Sequence, residues 1–479
     1  MESTETAPKK KLDFASYGVV IGFLCFEILA FISFYLGHSF ILYGILSFAL
    51  AGLALLVTFR QINKDGITTF AFFIFPIFVF GLLTALSSFN TGSIGAIGIA
   101  ESVFVPIALT FISLAGFLTG YIKGFKIKTA MIIIYSALAL FVFINLIITM
   151  IYYVPFYTLI YRNSYIFYDG KPSALPIGSM AYMLFGFQIK EVTLEYWSLF
   201  PSLLLTAVIP LFFITFKENR REFVIYLVIS IIAFLSLLFT ISRYTLITDF
   251  ILVLGIAVII LTAKLKQTRS IFNGIMVGLG IIVSLVIIGM FLAAQTSWGF
   301  LNGFRNLING NRLLSRLFIT NRYASGIIVV LQDMFSSFKL FGVPVGGAAY
   351  LYPNGVTQRP CNIWLFDNIL SSGFFGSIFF LVALVIGIRR LFKYIKAEED
   401  DDYTRCLITG YVLGYLVISL FLYDVHPLVN SDKMSPFFTS APLLICIFLL
   451  SYTFNKSLKQ TKEVKEEKKE IETKEETRR

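Results

Sequence analysis

Residues 199–241 read LFPSLLLTAVIPLFFITFKENRREFVIYLVISIIAFLSLLFTI, and this stretch decides the fold. It contains two apolar runs, Leu199–Phe216 and Phe223–Ile241, joined by a short link with three basic side chains. Each run has close to the roughly 20 residues that an α-helix needs to cross the hydrocarbon core of a bilayer. Short basic links stay in the cytoplasm, as the positive-inside rule states. The pattern therefore predicts two transmembrane helices that turn at the cytoplasmic face.

Apolar runs of this length recur along the whole chain. The mean hydropathy is +0.82, and 57% of the 479 residues are hydrophobic while 14% are charged. This composition excludes a soluble globular domain. We predict an all-α polytopic membrane protein with about twelve transmembrane helices. The predicted spans are Ala15–Gly37, Ser39–Phe59, Ile67–Ser88, Val103–Ile122, Ala130–Val154, Leu199–Phe216, Phe223–Ile241, Leu246–Ala263, Ile271–Ala294, Ile369–Ile388, Leu407–Tyr423 and Phe437–Phe454.

The distribution of basic residues predicts the topology. Lys9, Lys10 and Lys11 precede the first span, which we interpret as an uncleaved anchor, and an even number of spans puts both termini in the cytoplasm. Many Phe and Tyr residues, with Lys in most short links, are typical of proteins encoded by AT-rich bacterial genomes. We therefore predict a multi-pass protein of the bacterial cytoplasmic membrane. The links assigned to the cytoplasm contain Arg60 and Lys64; Lys123, Lys126 and Lys128; Lys217, Arg220 and Arg221; Lys264, Lys266 and Arg269; and Arg389, Arg390, Lys393 and Lys396.

The chain divides into three regions on these grounds. Residues 1–14 form a cytoplasmic N-terminus, and residues 15–454 form the transmembrane catalytic domain. That domain has two long extracytoplasmic loops, residues 155–198 and 295–368, and the second loop is expected to contain short amphipathic helices at the interface. Residues 455–479 form a charged cytoplasmic tail, which we expect to be solvated and either disordered or partly helical.

Charge and cysteine content argue against two other classes of protein. The net charge of +11 does not indicate nucleic-acid binding, because the basic residues are dispersed among the links instead of gathered on one domain. The four cysteines show neither CxxC spacing nor a nearby pair of histidines, so no zinc or redox motif is present. No Asp-x-Asp motif occurs in an outer loop, and the run 400–402 (DDD) is predicted to be a cytoplasmic, solvated turn. We expect neither a metal nor a cofactor.

Arginines in the second outer loop predict an anionic ligand. The guanidinium group is a planar donor that suits phosphate, and a lipid-linked diphosphate is the obvious candidate. Arg305 and Arg312 are equally compatible with exposed residues that keep the protein soluble, whereas Arg316 and Arg322 lie among apolar residues, where such a role is less needed. The loop carries Arg305, Arg312, Arg316, Arg322 and Arg359.

Arg243 lies outside this loop, between two apolar runs that leave little room for the chain to reach water. An arginine at mid-membrane costs about 2.5–3.5 kcal/mol on insertion scales. Arg243 must therefore extend to the interface, bind an anion or pair with Asp249.

Several short motifs resemble those of one family. Ser242-Arg243 after an apolar helix is similar to the serine-arginine motif of the O-antigen polymerase (Wzy) and O-antigen ligase superfamily. Residues 341–347 (FGVPVGG) resemble its glycine-rich loop motif, and residues 361–365 (CNIWL) with 373–376 (GFFG) resemble its His-Asn-x-x-Leu and Gly-x-x-Gly ending. Cys361 departs from the family, because it stands where the ligases carry a histidine.

The resemblance implies a metal-independent membrane glycosyltransferase of the GT-C type that uses undecaprenyl-diphosphate-linked glycans at the outer face. Arg243 and Arg322 would hold the donor diphosphate, because fixed positive charge stabilises the leaving anion. Arg305, Arg316 and Arg359 would add positive charge around the substrate, Asn362 belongs to the matched motif, and Trp364 offers a stacking surface for sugars.

The general base and the exact reaction remain open at this stage. Asp424, His426 and Asp367 are the candidates to accept a proton from the attacking hydroxyl. Cys361 in place of histidine favours a polymerase, and the alternatives are a ligase that transfers glycan to a terminal acceptor and a flippase or transporter. Transporters usually show an internal repeat and helices broken near the membrane midplane, and the halves of this chain do not match. The expected partners are the lipid-linked glycan, membrane lipids and a chain-length regulator.

Overall fold

The structure is a computed structural model, and helices account for most of what it describes. The described residues are 39–59, 62, 64–89, 96–122, 125–152, 167–168, 171–172, 199–240, 253, 255–256, 259–260, 289, 292–293, 298–310, 350–351, 357–358, 364–395, 401–421 and 443–458.

The helices follow the apolar runs of the sequence. In chain order they are α1 (Ser39–Thr58), α2 (Lys64–Phe89), α3 (Ala96–Thr119), α4 (Ile127–Tyr152), α5 (Leu199–Glu218), α6 (Arg220–Thr240), α7 (Asn302–Gly310), α8 (Trp364–Ile395), α9 (Asp402–Phe421) and α10 (Leu443–Leu458). A 3₁₀ turn, Gly299–Leu301, precedes α7.

Two short antiparallel hairpins complete the described elements. Strand β1 (Phe167–Tyr168) pairs with β2 (Lys171–Pro172), and β3 (Tyr350–Leu351) pairs with β4 (Thr357–Gln358). Both hairpins fall in the segments predicted to be outer loops.

The prediction of an all-α protein with membrane-length helices is confirmed for the described residues, apart from the two hairpins. Three helices contain stretches long and apolar enough to cross a membrane, namely Gly66–Leu83, Ile127–Ile144 and Gly373–Ile395. Four shorter apolar helices are Gly44–Thr58, Pro106–Thr119, Phe200–Phe212 and Leu443–Leu458. The predicted first span, Ala15–Gly37, lies outside the described residues.

The outward faces of these helices are apolar. Leu56 of α1 is 80% exposed, Phe72 of α2 is 71% exposed and Val385 of α8 is 65% exposed. Large contiguous apolar surface is rare on proteins that face water. Together with the apolar helix lengths, this surface indicates insertion into a membrane.

Helix α10 occupies the centre of the described core. Every residue from Leu443 to Asn455 is buried, as expected for a helix that is apolar on all sides. Phe454 contacts the rings of Phe70 and Phe73 on α2, and the Cys446 thiol lies 4.0 Å from the Val412 carbonyl oxygen on α9. On one side α1 packs against α3, α3 against α2, and α2 against α8, while α4, α5, α6 and α9 pack together on the other side.

Small residues bring α5 and α9 into close contact. Gly410 and Gly414 of α9 face Ala207 and Thr206 of α5, and a methyl group at Gly410 would lie 2.7 Å from the Ala207 Cα atom. The Thr206 hydroxyl donates a hydrogen bond to the Gly410 carbonyl oxygen at 2.9 Å. Small residues four positions apart are a common way for membrane helices to approach each other.

Helix α8 is broken at Gly373. This buried residue has φ 70° and ψ −173°, a conformation that only glycine adopts readily. The Ser377 hydroxyl donates to the Gly373 carbonyl oxygen at 2.6 Å and stabilises the first turn after the break. A short segment from Trp364 thus precedes an apolar helix, Gly373–Ile395, whereas the sequence predicted one span over Ile369–Ile388.

Candidate functional site

Most of the predicted site residues lie outside the described residues. Two more, Trp364 and Asp367, are described only as backbone positions in the first turn of α8. Arg305 is the predicted site residue whose side chain the structure describes. The predicted residues outside the described part are Arg243, Asp249, Arg312, Arg316, Arg322, Arg359, Cys361, Asn362, Asp424 and His426.

The Arg305 guanidinium is bound to the protein itself. Its Nε atom donates to the Ala293 carbonyl oxygen at 3.3 Å, and its Nη2 atom donates to the Trp298 carbonyl oxygen at 3.4 Å. Its Nη1 atom donates to the Asn302 side-chain oxygen at 2.9 Å. Carbonyl groups at a helix end lack intrahelical partners and attract cations, so Arg305 holds the turn against the preceding helical residues. Its predicted role in substrate binding stays a prediction beside this structural one.

Helix α7 folds back along the residues that precede it. Phe304 packs against Gly289, where an added methyl group would lie 3.3 Å from the phenyl ring. Leu301 and Ile308 are buried, while Asn302 and Asn306 are exposed. The sequence placed this segment in an outer loop, but the spacing of its polar and apolar residues did not predict the return toward Gly289.

The break in α8 falls at residues 373–376 (GFFG), whose likeness to a Gly-x-x-Gly motif stays a prediction. Gly373 is the position that requires positive φ. Gly376 is buried, whereas Phe374 and Phe375 are exposed by 44% and 42%. The glycine motif therefore has a local structural reason, since it lets the chain change direction immediately before the spanning part of α8.

Several helix ends meet at one end of the bundle, which we call the basic end. It comprises the end of α3 and the start of α4, the start of α6, the end of α8, the start of α9 and the end of α10. Its basic residues include members of three links that the sequence assigned to the cytoplasm. The described basic residues there are Lys126, Lys128, Arg220, Arg221, Arg389, Arg390, Lys393, Arg405 and Lys456.

An ion pair joins α4 to α9 at the basic end. The Lys128 Nζ atom donates to the Asp401 carboxylate at 2.5 Å and lies 5.0 Å from the centre of the Tyr403 ring. Asp401 also accepts a hydrogen bond from the Thr404 backbone N–H at 3.1 Å, as an N-cap residue does. Partial burial raises the pKa of the Asp401 carboxyl, but the hydrogen bonds from Lys128 and Thr404 outweigh it and hold that pKa below its usual 3.8.

Three further contacts join helices at the same end. Arg405 of α9 donates to the carbonyl oxygen of Ile395, the last residue of α8, at 3.1 Å. Asn455 of α10 donates to the Phe117 carbonyl oxygen on α3 at 2.9 Å. The Arg390 guanidinium lies 4.9 Å from the centre of the Phe454 ring, a distance at which cations interact favourably with aromatic faces. The predicted solvated turn around Asp401 is thus exposed, but it also connects helices.

The described core contains one small apolar cavity between four helices. This cavity of about 20 Å³ lies between α2, α3, α8 and α10, lined only by apolar residues such as Phe73, Phe80 and Leu450. This volume is about that of one water molecule, and an apolar wall gives water no partner. Among the described residues no group of three or more His, Cys, Asp or Glu side chains is placed to hold a metal ion. No protein-family model, curated protein or solved structure matches the chain.

Proposed function

We propose that this chain is a metal-independent glycosyltransferase of the bacterial cytoplasmic membrane, a polymerase of the Wzy type. It would join undecaprenyl-diphosphate-linked oligosaccharide repeat units at the outer face. The observation that supports this proposal best is the basic end. Helix ends that border the links assigned to the cytoplasm from the sequence contact one another there. Since short basic links stay in the cytoplasm, this end faces inward. The segment Ile271–Ala294 starts after another basic link, so the arginine-rich loop that follows it belongs outside.

The chemistry follows from this placement. A hydroxyl group of one lipid-linked repeat attacks the anomeric carbon of another glycan, and the bond between that carbon and the diphosphate oxygen breaks. The hydroxyl proton passes to Asp424 or His426, and undecaprenyl diphosphate leaves as an anion. Arg243 and Arg322 stabilise the charge that develops on the leaving group. Arg316 and Arg359 extend the positive surface.

The rest of the architecture belongs to the same proposal. The chain has about twelve spans in a GT-C-like arrangement, with both termini in the cytoplasm. Its partners are the lipid-linked glycan, membrane lipids and a chain-length regulator that reaches the charged tail. The break in α8 is relevant to the transporter alternative, because transporter helices are typically interrupted near the midplane. Gly373 is the first residue of an apolar span of 23 residues, so the break lies at one end of that span, which favours the enzyme.

A polymer-length assay tests the proposal. Membranes from cells that carry the complete polysaccharide gene cluster are separated on gels, with either Arg243→Ala or Arg221→Ala in place of the natural residue. Arg221 is exposed at the start of α6, and Arg243 follows the end of that helix, so the two variants remove the same charge at opposite ends. We expect a single lipid-linked repeat for Arg243→Ala, and a full ladder of bands of increasing polymer length for Arg221→Ala.

Two other outcomes identify the alternatives. A full ladder from Arg243→Ala would remove that residue from the donor site. Repeat units that accumulate at the inner face, inaccessible to an added glycosidase, would instead indicate a flippase. A normal ladder with loss of transfer to a terminal acceptor would indicate a ligase.

A further inference from the structure

The segment 298–310 lies beside the end of the preceding helical residues, not above it. Phe304 contacts Gly289, and the Arg305 Nε atom donates to the Ala293 carbonyl oxygen at 3.3 Å. Gly289 and Ala293 are both helical and lie four positions apart in the chain. These residues belong to the predicted span Ile271–Ala294. Helix α7 is therefore level with the last turn of an apolar segment of membrane length.

Two aromatic side chains point away from the protein at this level. Trp298 is 51% exposed and Phe300 is 79% exposed, and their rings lie nearly parallel with centroids 5.6 Å apart. The neighbouring Leu301 is buried and fixes the turn from the inside. An aromatic ring that stays in water forgoes the favourable free energy of burying its apolar surface.

The exposed polar residues and the exposed aromatic residues of the segment 298–310 lie on different parts of it. Asn302, Gly303 and Asn306 are exposed on α7, whereas Trp298 and Phe300 are exposed on the turn before it. Arg305 is the single charged residue between positions 296 and 310, and its guanidinium is bound to two backbone carbonyls and Asn302. A surface with a stacked tryptophan and phenylalanine, and with its one half-buried charge bound to the protein, fits the headgroup layer of a bilayer, where tryptophan is enriched.

We propose that Trp298 and Phe300 anchor this turn in the lipid headgroup layer at the end of the Ile271–Ala294 span. The anchor fixes the start of the loop 295–368 at the depth of the lipid phosphates. It thereby keeps the arginines of that loop where a lipid diphosphate lies. Assignment of the anchor to the outer leaflet rests on the proposed function, whereas its contact with lipid does not.

Tryptophan fluorescence in brominated lipid tests the anchor. The chain has three tryptophans, and the double variant Trp197→Phe with Trp364→Phe leaves Trp298 as the only one. The protein is placed in lipid nanodiscs whose acyl chains carry bromine either near the headgroup or near the terminal methyl. We expect bromine near the headgroup to remove at least half of the Trp298 emission, with a weaker effect of deep bromine and of aqueous iodide.

A matched control uses the polar surface of the same helix. In a chain with Phe at all three tryptophan positions, Asn306→Trp places an indole on the exposed side of α7. We expect iodide to quench this emission strongly and brominated lipid to leave it unchanged. If the combined variants do not fold, the difference in quenching between the natural chain and Trp298→Phe gives the same information.

Two results would overturn the anchor. Emission from Trp298 that iodide quenches and brominated lipid does not would place the ring in water. Emission that neither reagent quenches would place it under another part of the protein. Fluorescence does not depend on polymer formation, so a failed anchor leaves the ladder assay unaffected, and a failed ladder assay leaves the lipid contact standing.

Discussion

Replacement of Gly410 by alanine should destabilise the contact between α5 and α9. The added methyl group would lie 2.7 Å from the Ala207 Cα atom and 2.8 Å from its Cβ atom, whereas carbon atoms in contact prefer about 3.5–4.0 Å. The two helices must separate by about 1 Å, which costs about 1–3 kcal/mol for overpacking. Separation also weakens the Thr206 hydrogen bond to Gly410, which is worth about 0.6 kcal/mol in a membrane.

Gly52→Ala is the matched control for this variant. Gly52 lies within the apolar helix α1, and nothing lies within 4 Å of the position that its methyl group would take. Both changes gain the same helix propensity, so the difference between them isolates the clash. We expect a difference of about 2 kcal/mol, or about 30-fold in the unfolding rate of purified protein in detergent. Equal unfolding rates for the two variants would refute the close approach of α5 and α9.

Three further predictions concern the ends of helices. Arg305→Ala and Arg305→Lys should both speed backbone amide exchange in residues 298–310 by about tenfold, because both variants lose the planar set of donors, although lysine keeps the charge. Exchange rates in the lysine variant equal to those of the natural protein would refute the structural role of Arg305. Gly373→Ala should cost about 1–3 kcal/mol, seen as a lower unfolding temperature in detergent, since the observed backbone conformation is almost exclusive to glycine; an unchanged temperature would contradict the break in α8. Asp401→Asn keeps an N-cap but removes the ion pair with Lys128. Both side chains of this pair are about half exposed, so the substitution should lower the free energy of unfolding by less than about 1 kcal/mol at pH 7. Because the folded-state pKa of Asp401 is lowered, this stabilisation exists above the unfolded pKa near 3.8 and is lost as the pH falls through the lower folded value. A difference in unfolding free energy between the natural and the variant protein that grows on acidification would contradict the prediction.

The sequence predicted the helices well because a single property, apolar length, determines them. Ser39–Phe59 was predicted and Ser39–Thr58 is observed, and α5 begins at Leu199 as expected. The basic links predicted a cytoplasmic side for several helix ends, and that topology stays a prediction. Lys128 contacts Asp401 across 273 positions of the chain, and both residues had been assigned to the cytoplasmic side.

Other features depend on neighbours that hydropathy does not contain. Helices α6 and α10 are both apolar, yet Val224 and Val228 of α6 are 48% exposed while Leu444 and Phe448 of α10 are buried. The break at Gly373 was invisible because a glycine at that position does not change the hydropathy of its segment. The charge of an arginine could not distinguish a phosphate ligand from backbone carbonyls, so the three contacts of Arg305 were not foreseen.

The central position of α10 has a consequence for biogenesis. This helix follows all the other described helices in chain order, yet it contacts α2, α3, α8 and α9 and its residues are almost completely inaccessible. The ribosome therefore delivers α1 to α9 to the translocon before the helix that fills the space they share. Until α10 arrives, Phe70, Phe117 and Val412 lack the partner that covers them. We expect lipid to fill this gap in the assembly intermediate, and we expect the intermediate to be cleaved by membrane proteases more readily than the complete bundle.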